Sequence, residues 1–562
     1  MNLATLLLSI SLALAGAASA QSQVDPDALA HWRSLRFGMF IHWGPVSLTG
    51  HEIGWSRGRE TPIDEYDVLP SRFNPVEFDP DAWAATAKAA GMKYVVLTTK
   101  HHDGFCLWPS DETEFDIMST PFRRDVVGEL AAACRKQGLE FGTYYSVPDW
   151  HHPDYPKGSP AGSTDKEDPH PDRYARYLQA QVTELVERYG PLFTLWFDMP
   201  REFGPEYGVP VVELLRRLQP DIVINNRAFT RAGGGPPVGD YDTPEQRIGG
   251  FERERPWETC MTLCNQWSFK PDDRMKSLTE CVRTLLQTIG GDGNLLFNVG
   301  PMPDGRIEPR QVERLLEMGA WIKQHEEAIY DTRGGPYRPG DWGASTCKGN
   351  RVFLFLCEWP EEGMLRLPLP GAEPLKVTGP AGLRATWDEG ELLISLDGQA
   401  RDPIATQVEL VFEQPAFLLA PLDVPRPPSG SLACGRSARA SNVFHGQEEY
   451  AASRAFDDDS KTRWATDAGT KSAWIEVDLE QPTVVSRIAI QEAEEYQRVR
   501  EFELRYEAEG AWTTIHRGTT LGPGWSLEFK PVTVRRFRLE ILDASEGPTL
   551  CEIRLFAPAE SH

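Results

Sequence analysis

Asp198 closes the run "LFTLWFD", Leu192 to Asp198, so a carboxylate and the indole of Trp196 stand together where a strand-like segment ends. That pairing suits work on a sugar: the apolar face of the ring packs on the indole while the acid reaches the reacting carbon. An Asp at a strand end can equally cap a following helix. Cleaving a glycosidic bond with retention takes two carboxyls about 5 Å apart, one ionised as nucleophile and one protonated as general acid. Three acids follow the next strand-like segment, Asp240 and Glu245 in "GDYDTPEQ" and Glu258 in "PWETC". Spacing alone does not choose among them.

Histidines supply the second signal. "KYVVLTTKHHDGF", Lys93 to Phe105, runs from a β-like apolar stretch into His101, His102 and Asp103, groups that are costly to bury without partners. His42 ends "RFGMFIHWG" in the same way. A metal centre fits these histidines poorly, because adjacent residues on an extended chain point to opposite sides and no H-x-H or H-E-x-x-H spacing is present. Cys260 and Cys264 have metal-like spacing, but no second Cys or His pair follows, and they read as buried thiols.

The elements that must hold these groups alternate between about 33 and 330. "RFGMFIHWG", "KYVVLTTKHH", "LEFGTYYSV", "PLFTLWFDM", "PDIVINNR" and "GNLLFNVGP" read as strands. "DAWAATAKAAG", "DVVGELAAACRKQG", "RYARYLQAQVTELVERYG" and "SLTECVRTLLQTIGG" read as helices between them. The order is that of βα units closing a parallel sheet. The polar and aromatic residues gather at the carboxyl ends of the strands: His42 with Trp43, His101 with His102, Tyr144 with Tyr145, Trp196 with Asp198, Asn226 with Arg227, and Asn298. In a (β/α)8 TIM-like barrel that end is the mouth where active sites are built. The histidines therefore leave the strand where the strand leaves the barrel.

Beyond the barrel, residues 21–333, the texture changes to short strands and turns, and 334–421 reads as a small β-sandwich. A proline-rich linker, 422–430, precedes a third unit, 431–562, whose alternating segments "WIEVDL", "VVSRIAI" and "RRFRLEIL" predict a second β-sandwich. Residues 1–20 are apolar, uncharged and end on Ala18-Ser19-Ala20, the pattern of a cleaved secretory signal, which predicts a secreted or periplasmic protein. No later segment reaches about 18 uninterrupted apolar residues, so no membrane association is expected. The formal net charge of −25 argues against nucleic acid and anionic membrane as partners and suits a neutral ligand such as sugar. Nine cysteines spread thinly make no disulfide scaffold; Cys434 and Cys551, near the two ends of the last unit, are the expected pair in an oxidising compartment.

Taken in order, "FGMFIHWG", "TKHHDGF", "YYS", "LWFDM", "NNR", "WETC" and "GGDGNLLFNVGPMPDG" resemble the α-L-fucosidases of glycoside hydrolase family 29, over about 33 to 330 and the sandwich that follows. The resemblance implies exo-acting, retaining hydrolysis of terminal α-L-fucosyl residues from fucosylated glycans, with no metal or other cofactor in catalysis. Carried onto this chain, it makes Asp198 the nucleophile and Glu245 the acid/base, with Glu258 the runner-up. His42, His101, His102, Tyr145 and Trp55 would then hold the sugar, with Trp196 behind the ring and Arg227 near the acid/base. The chain departs from the family pattern at "GHEIGWSRG", where a Glu-Trp pair is usual and the role of Glu52 is open. It departs again at Asn226 and at Met199-Pro200. A related sugar such as an α-L-galactoside, or glycan binding without turnover, remains as an alternative. The last unit resembles the discoidin, or coagulation-factor C-type, carbohydrate-binding sandwich through "AFDDDSKTRWAT", "SAWIEVDLEQPTVVSRIAI" and "LCEIRLFA". That likeness implies a structural calcium on Asp457, Thr462 and Glu552.

Overall fold

The computed structural model describes residues 24–156, 168–199, 203–227, 238–360, 363–388, 390–425, 429–493, 496–508 and 510–558. The expected signal, 1–20, lies outside them. The chain divides into two compact units, Met1–Pro425 and Arg426–His562.

Seven parallel strands build the first sheet: β1 (Phe37–Ile41), β2 (Tyr94–Lys100), β3 (Glu140–Ser146), β4 (Thr194–Asp198), β5 (Val223–Ile224), β6 (Glu258–Thr262) and β7 (Asn294–Val299). Their spatial order is β5-β4-β3-β2-β1-β7-β6. The segment 240–246 completes the curl between β5 and β6. Asn225 bridges Tyr241, Asp242 bridges Trp257 and Glu245 bridges Cys260, all in parallel sense. This stretch occupies the eighth position of a barrel without forming a regular strand. The strand β6 within "PWETC" is one that alternation in the sequence did not single out.

Helices α1 (Pro26–Leu35), α2 (Pro80–Ala89), α3 (Val126–Gln137), α4 (Pro171–Tyr189), α5 (Pro205–Leu218), α6 (Leu278–Gly290) and α7 (Pro309–Ile322) surround the sheet. Their starts follow from side chains that accept the first orphan amides. Asp79 accepts from Ala82 and Asp125 from Gly128, while Ser277 and Glu280 form a reciprocal capping box. Gly138 ends α3 in the left-handed region, φ 72°.

Alternation sorts the strand residues into two cores. Phe40, Tyr94, Val96, Tyr144, Trp196, Val223, Tyr241, Cys260 and Leu296 fill the barrel interior. Their neighbours, among them Ile41, Val95, Phe141, Tyr145 and Phe197, pack outward against the helices. At Gly38 the Tyr94 ring occupies the space a Cβ would need. Filling the lower barrel with such rings lifts the polar strand ends to the rim.

The small sandwich joins a five-stranded sheet, β12-β15-β10-β9-β8, to a three-stranded one, β11-β14-β13. Its strands are β8 (Arg333–Gly334), β9 (Gly343–Lys348), β10 (Arg351–Leu356), β11 (Met364–Pro368), β12 (Lys376–Thr378), β13 (Arg384–Asp388), β14 (Glu391–Ser395) and β15 (Thr406–Val411). Ala344, Phe353 and Phe355 share the outer core of the barrel, and Arg283 on α6 donates to the carbonyls of Ile404 and Cys357.

The second unit is antiparallel, its main path running β17-β22-β18-β21-β19-β20 with β16 on β18. These strands are β16 (Ser437–Ala440), β17 (Trp464–Ala465), β18 (Ala473–Glu492), β19 (Val499–Ala508), β20 (Ala511–Gly518), β21 (Trp525–Ala544) and β22 (Thr549–Phe556). Cys434 is an exposed free thiol while Cys551 is buried on β22, so the expected bridge between them is not formed.

Candidate active site

A small hollow opens at the carboxyl ends of the barrel strands, lined by Phe40, His42, Trp55, His101, His102, Tyr144, Trp196, Asp198, Met199, Arg227, Glu245, Cys260 and Trp267. Eight of the residues expected from the sequence meet here: His42, Trp55, His101, His102, Trp196, Asp198, Arg227 and Glu245.

Asp198 is the last residue of β4. Its Oδ2 accepts the Tyr144 hydroxyl at 2.9 Å and its Oδ1 accepts Arg227 Nη1 at 2.6 Å. His102 Nε2 lies 3.6 Å from Oδ2. Burial alone would raise this carboxyl. The charges of Arg227 and His102 and the hydrogen bonds outweigh it and hold Asp198 below the ordinary Asp value, so the group stays ionised. Met199 follows in the left-handed region, φ 52°, an uncommon conformation for a side chain that also lines the hollow.

Arg227 ties the two acids together. While Nη1 holds Asp198, Nη2 lies 2.9 Å from Glu245 Oε2 and also donates to the Thr243 carbonyl at 3.0 Å; Nε donates to Thr243 Oγ1 at 2.9 Å. The guanidinium lies 4.7 Å over the Trp196 ring. Glu245 belongs to the segment that closes the barrel, and Gln246 N donating to the Cys260 carbonyl at 3.0 Å pins it beside β6. Its side chain is 42% exposed against 12% for Asp198, as suits an acid at the mouth and one at the floor.

His42 and His101 are neutral hydrogen-bonding groups. His42 Nδ1 donates to Asn298 Oδ1 at 2.6 Å, which turns Nε2 into the free acceptor. Burial first, with only partial offset from Asn298 and Asp198, lowers its pKa to about 3. Burial and the neighbouring rings of His102 and His42 push His101 well below its ordinary value. His102 Nδ1 lies 2.7 Å from Ser146 Oγ, whose proton goes to the Pro148 carbonyl at 2.6 Å. Gly54 lets the Trp55 loop close onto His101: its φ is +64°, and a Cβ there would lie 2.8 Å from His101 Nδ1. Asp103 stands behind this loop and accepts the Tyr66 hydroxyl at 2.7 Å, which in turn accepts Gly54 N at 2.9 Å.

Two expectations are corrected. Tyr145 faces away from the hollow, because period-two alternation sends Tyr144 inward and Tyr145 toward α4. Its hydroxyl donates to Gln181 at 2.7 Å and accepts from Lys100 at 2.8 Å. Tyr144 takes the place expected of it. Glu258 lies two residues before Cys260 on β6, one layer deeper in the barrel, and is fully buried. It accepts Trp196 Nε1 at 3.1 Å and the Tyr94 hydroxyl, beneath the indole rather than beside the substrate space. Burial, against hydrogen bonds from Tyr94, Trp196 and Tyr241, pushes its carboxyl up to about 7.

Sequence reasoning missed Phe40, Cys260 and Trp267 as lining residues. Counting back by two from His42 finds Phe40. Trp267 sits in the irregular stretch 263–277, which carries no periodic signal.

In the second unit Asp457, Thr462 and Glu552 come together. Thr462 Oγ1 lies 2.9 and 2.8 Å from the two Asp457 oxygens and 3.0 Å from the carbonyls of both Arg454 and Asp459. Glu552 Oε1 is buried without a hydrogen-bond partner, and burial, with Asp458 and Asp457 adding to it against Arg554, pushes this carboxyl up to about 8. No three His, Cys, Asp or Glu side chains gather as metal ligands among the described residues, so a cation here would draw on hydroxyl and main-chain oxygens as well.

The family model described as "Alpha-L-fucosidase" matches residues 14–327 and that described as "F5/8 type C domain" matches 437–554. A tissue α-L-fucosidase of Bos taurus is 32% identical over 383 residues, 62% of this chain and 79% of that protein. The solved α-L-fucosidase isoenzyme 1 of Paenibacillus thiaminolyticus is 34% identical with a TM-score of 0.63, covering 68% of this chain and 98% of that one. An α-L-fucosidase of Bacteroides thetaiotaomicron, solved as a trapped covalent intermediate with 2-fluoro-fucosyl fluoride, is 28% identical with a TM-score of 0.62 over 69% of this chain and 96% of its own. With a parallel barrel, two acids at its mouth and these relatives, the chain belongs to the α-L-fucosidase family, glycoside hydrolases of family 29.

Proposed function

We propose that Asp198 is the nucleophile and Glu245 the acid/base of an exo-acting, retaining α-L-fucosidase. The observation that carries this is Arg227: the two ends of one guanidinium hold one carboxylate each, at 2.6 and 2.9 Å. Acids held on one guanidinium face the same small space, as the two acids that flank a glycosidic bond must.

Asp198 Oδ attacks the anomeric carbon as the bond to the leaving oxygen breaks, and Glu245 gives that oxygen a proton. Glu245 then takes a proton from water, whose oxygen displaces Asp198 and releases the sugar with its configuration retained. For Glu245 to carry the first proton, the arriving glycoside must part it from Arg227, leaving the guanidinium on Asp198. Tyr144 and Arg227 keep the nucleophile ionised until it attacks. His42 and His101, being neutral, read sugar hydroxyls, and His102 stands beside them. Phe40 and Trp267 form an apolar corner, which favours the methyl group of a 6-deoxy sugar over the hydroxymethyl of an α-L-galactoside.

Asp198→Asn tests the assignment. Hydrolysis of 4-nitrophenyl α-L-fucoside should fall roughly a thousand-fold or more, with inhibitor binding kept. Unchanged turnover, or a parent that binds fucosylated glycan without cleaving it, would reject it.

The second unit serves as a glycan-binding module held by calcium. One hydroxyl proton on Thr462 can satisfy only one of four surrounding oxygens, and a cation among those oxygens and Glu552 removes the conflict. Export is the third part of the reading and rests on residues 1–20.

A further inference from the structure

Glu52 takes no part in the chemistry above, yet its carboxylate faces four donors beside the pocket. Oε2 accepts Trp267 N at 2.9 Å. Oε1 accepts Ser268 N at 3.1 Å and Ile53 N at 3.0 Å, and lies 3.1 Å from the Ser268 hydroxyl. Burial raises this carboxyl and the same amides pull it down. The other end of the Trp267 peptide is fixed as well, since Asn298 Nδ2 donates to the Trp267 carbonyl at 2.7 Å while Asn298 Oδ1 orients His42. The Glu52 loop and strand β7 thus clip the main chain of a second loop. The clipped residue is half-buried on a stretch with no helix or strand to hold it, and its ring packs 4.8 Å from His42 and 6.1 Å from Phe40.

We propose that Glu52 is a positioning residue that sets sugar selectivity: by fixing Trp267 against Phe40 it keeps an apolar corner closed, so that a methyl group is accepted there and a hydroxymethyl is not. This rests on the fucosidase reading above. A hydroxyl driven into such a corner loses water and finds no partner, and a pocket distinguishes one such group by about ten- to two-hundred-fold. A carboxylate suits the clip because all its donors point inward. An amide at the same position turns an N–H toward one of them and releases that side of the loop.

The test uses the full chain. For the parent, Glu52→Gln, Trp267→Ala and the double variant, kcat/KM is measured on 4-nitrophenyl α-L-fucoside and α-L-galactoside, and Kd for free L-fucose and L-galactose. The proposal expects the fucose-to-galactose ratio to fall about ten-fold in Glu52→Gln, largely through KM and Kd for fucose. It expects Trp267→Ala to match it and the double variant to fall no further. Glu52→Asp, which keeps the charge but shortens the reach, carries the same expectation should the amide variant fold poorly. A Glu52 with a merely structural role would weaken both sugars alike. An unchanged ratio, or additive losses in the double variant, would overturn the proposal while leaving the fucosidase reading intact. A parent that neither cleaves nor binds fucose would overturn that reading, and the proposal with it.

Discussion

Residues with similar chemistry take opposite roles here according to what faces them. Asp198 and Glu258 are both buried, but Asp198 meets a guanidinium and is held ionised, while Glu258 meets only neutral donors and is pushed up to about 7 from an ordinary 4.5. The shift has a consequence for stability. Below pH 4.5 Glu258 is protonated in both folded and unfolded chains and contributes nothing. Between 4.5 and 7 the unfolded chain releases its proton and the folded chain keeps it, so stability falls as pH rises, by at most roughly 3 kcal/mol. Glu258→Gln removes that loss. The melting temperature of the variant relative to the parent should therefore rise from pH 4.5 to 7 and level off above; a difference that does not change with pH contradicts the buried-acid description.

At the scale of elements, strand alternation decides which neighbour matters. Tyr144 and Tyr145 are adjacent residues of one type, yet only Tyr144 touches Asp198. Tyr144→Phe deletes a hydrogen bond to a carboxylate and should lower kcat by about 10- to 100-fold, whereas Tyr145→Phe, which loses contacts to Lys100 and Gln181 behind the sheet, should leave kcat within about twofold. Steady-state kinetics on the nitrophenyl fucoside checks both; equal losses would show that the inward assignment fails. Much of this level was legible in the sequence. Six strands, four helices and the convergence of His42, His101, His102, Trp196, Asp198 and Arg227 followed from alternation and from where polar residues cut short the apolar runs. What was not legible lacks a period. The closing segment 240–246 pairs by single bridges, β6 is short and opens on a buried acid, Glu258, and Trp267 is held by Glu52 from 215 positions away. The choice of Tyr145 over Tyr144 failed because the motif "YYS" does not say which face each residue takes.

The whole molecule pairs a catalytic unit with an antiparallel one that carries its own buried acids. With a formal net charge of −25 the chain already repels itself, and gathering Asp457, Asp458 and Glu552 adds to that cost. Calcium would relieve it. A chelator should lower the melting transition of the second unit by several degrees, and added calcium should restore it by mass action, with nitrophenyl fucoside turnover unchanged. A transition indifferent to both would remove calcium from the account. Among the described residues no helix is long and apolar enough to cross a membrane.

The central claim is that Asp198 forms the covalent bond to the sugar. Incubating the protein with 2-fluoro-fucosyl fluoride and mapping the adduct by peptide mass spectrometry tests it directly. The account predicts one 2-fluorofucosyl group, on the peptide containing Asp198, released with retained configuration on adding an acceptor. An adduct on another acid, or turnover with inverted product and no adduct, would contradict it.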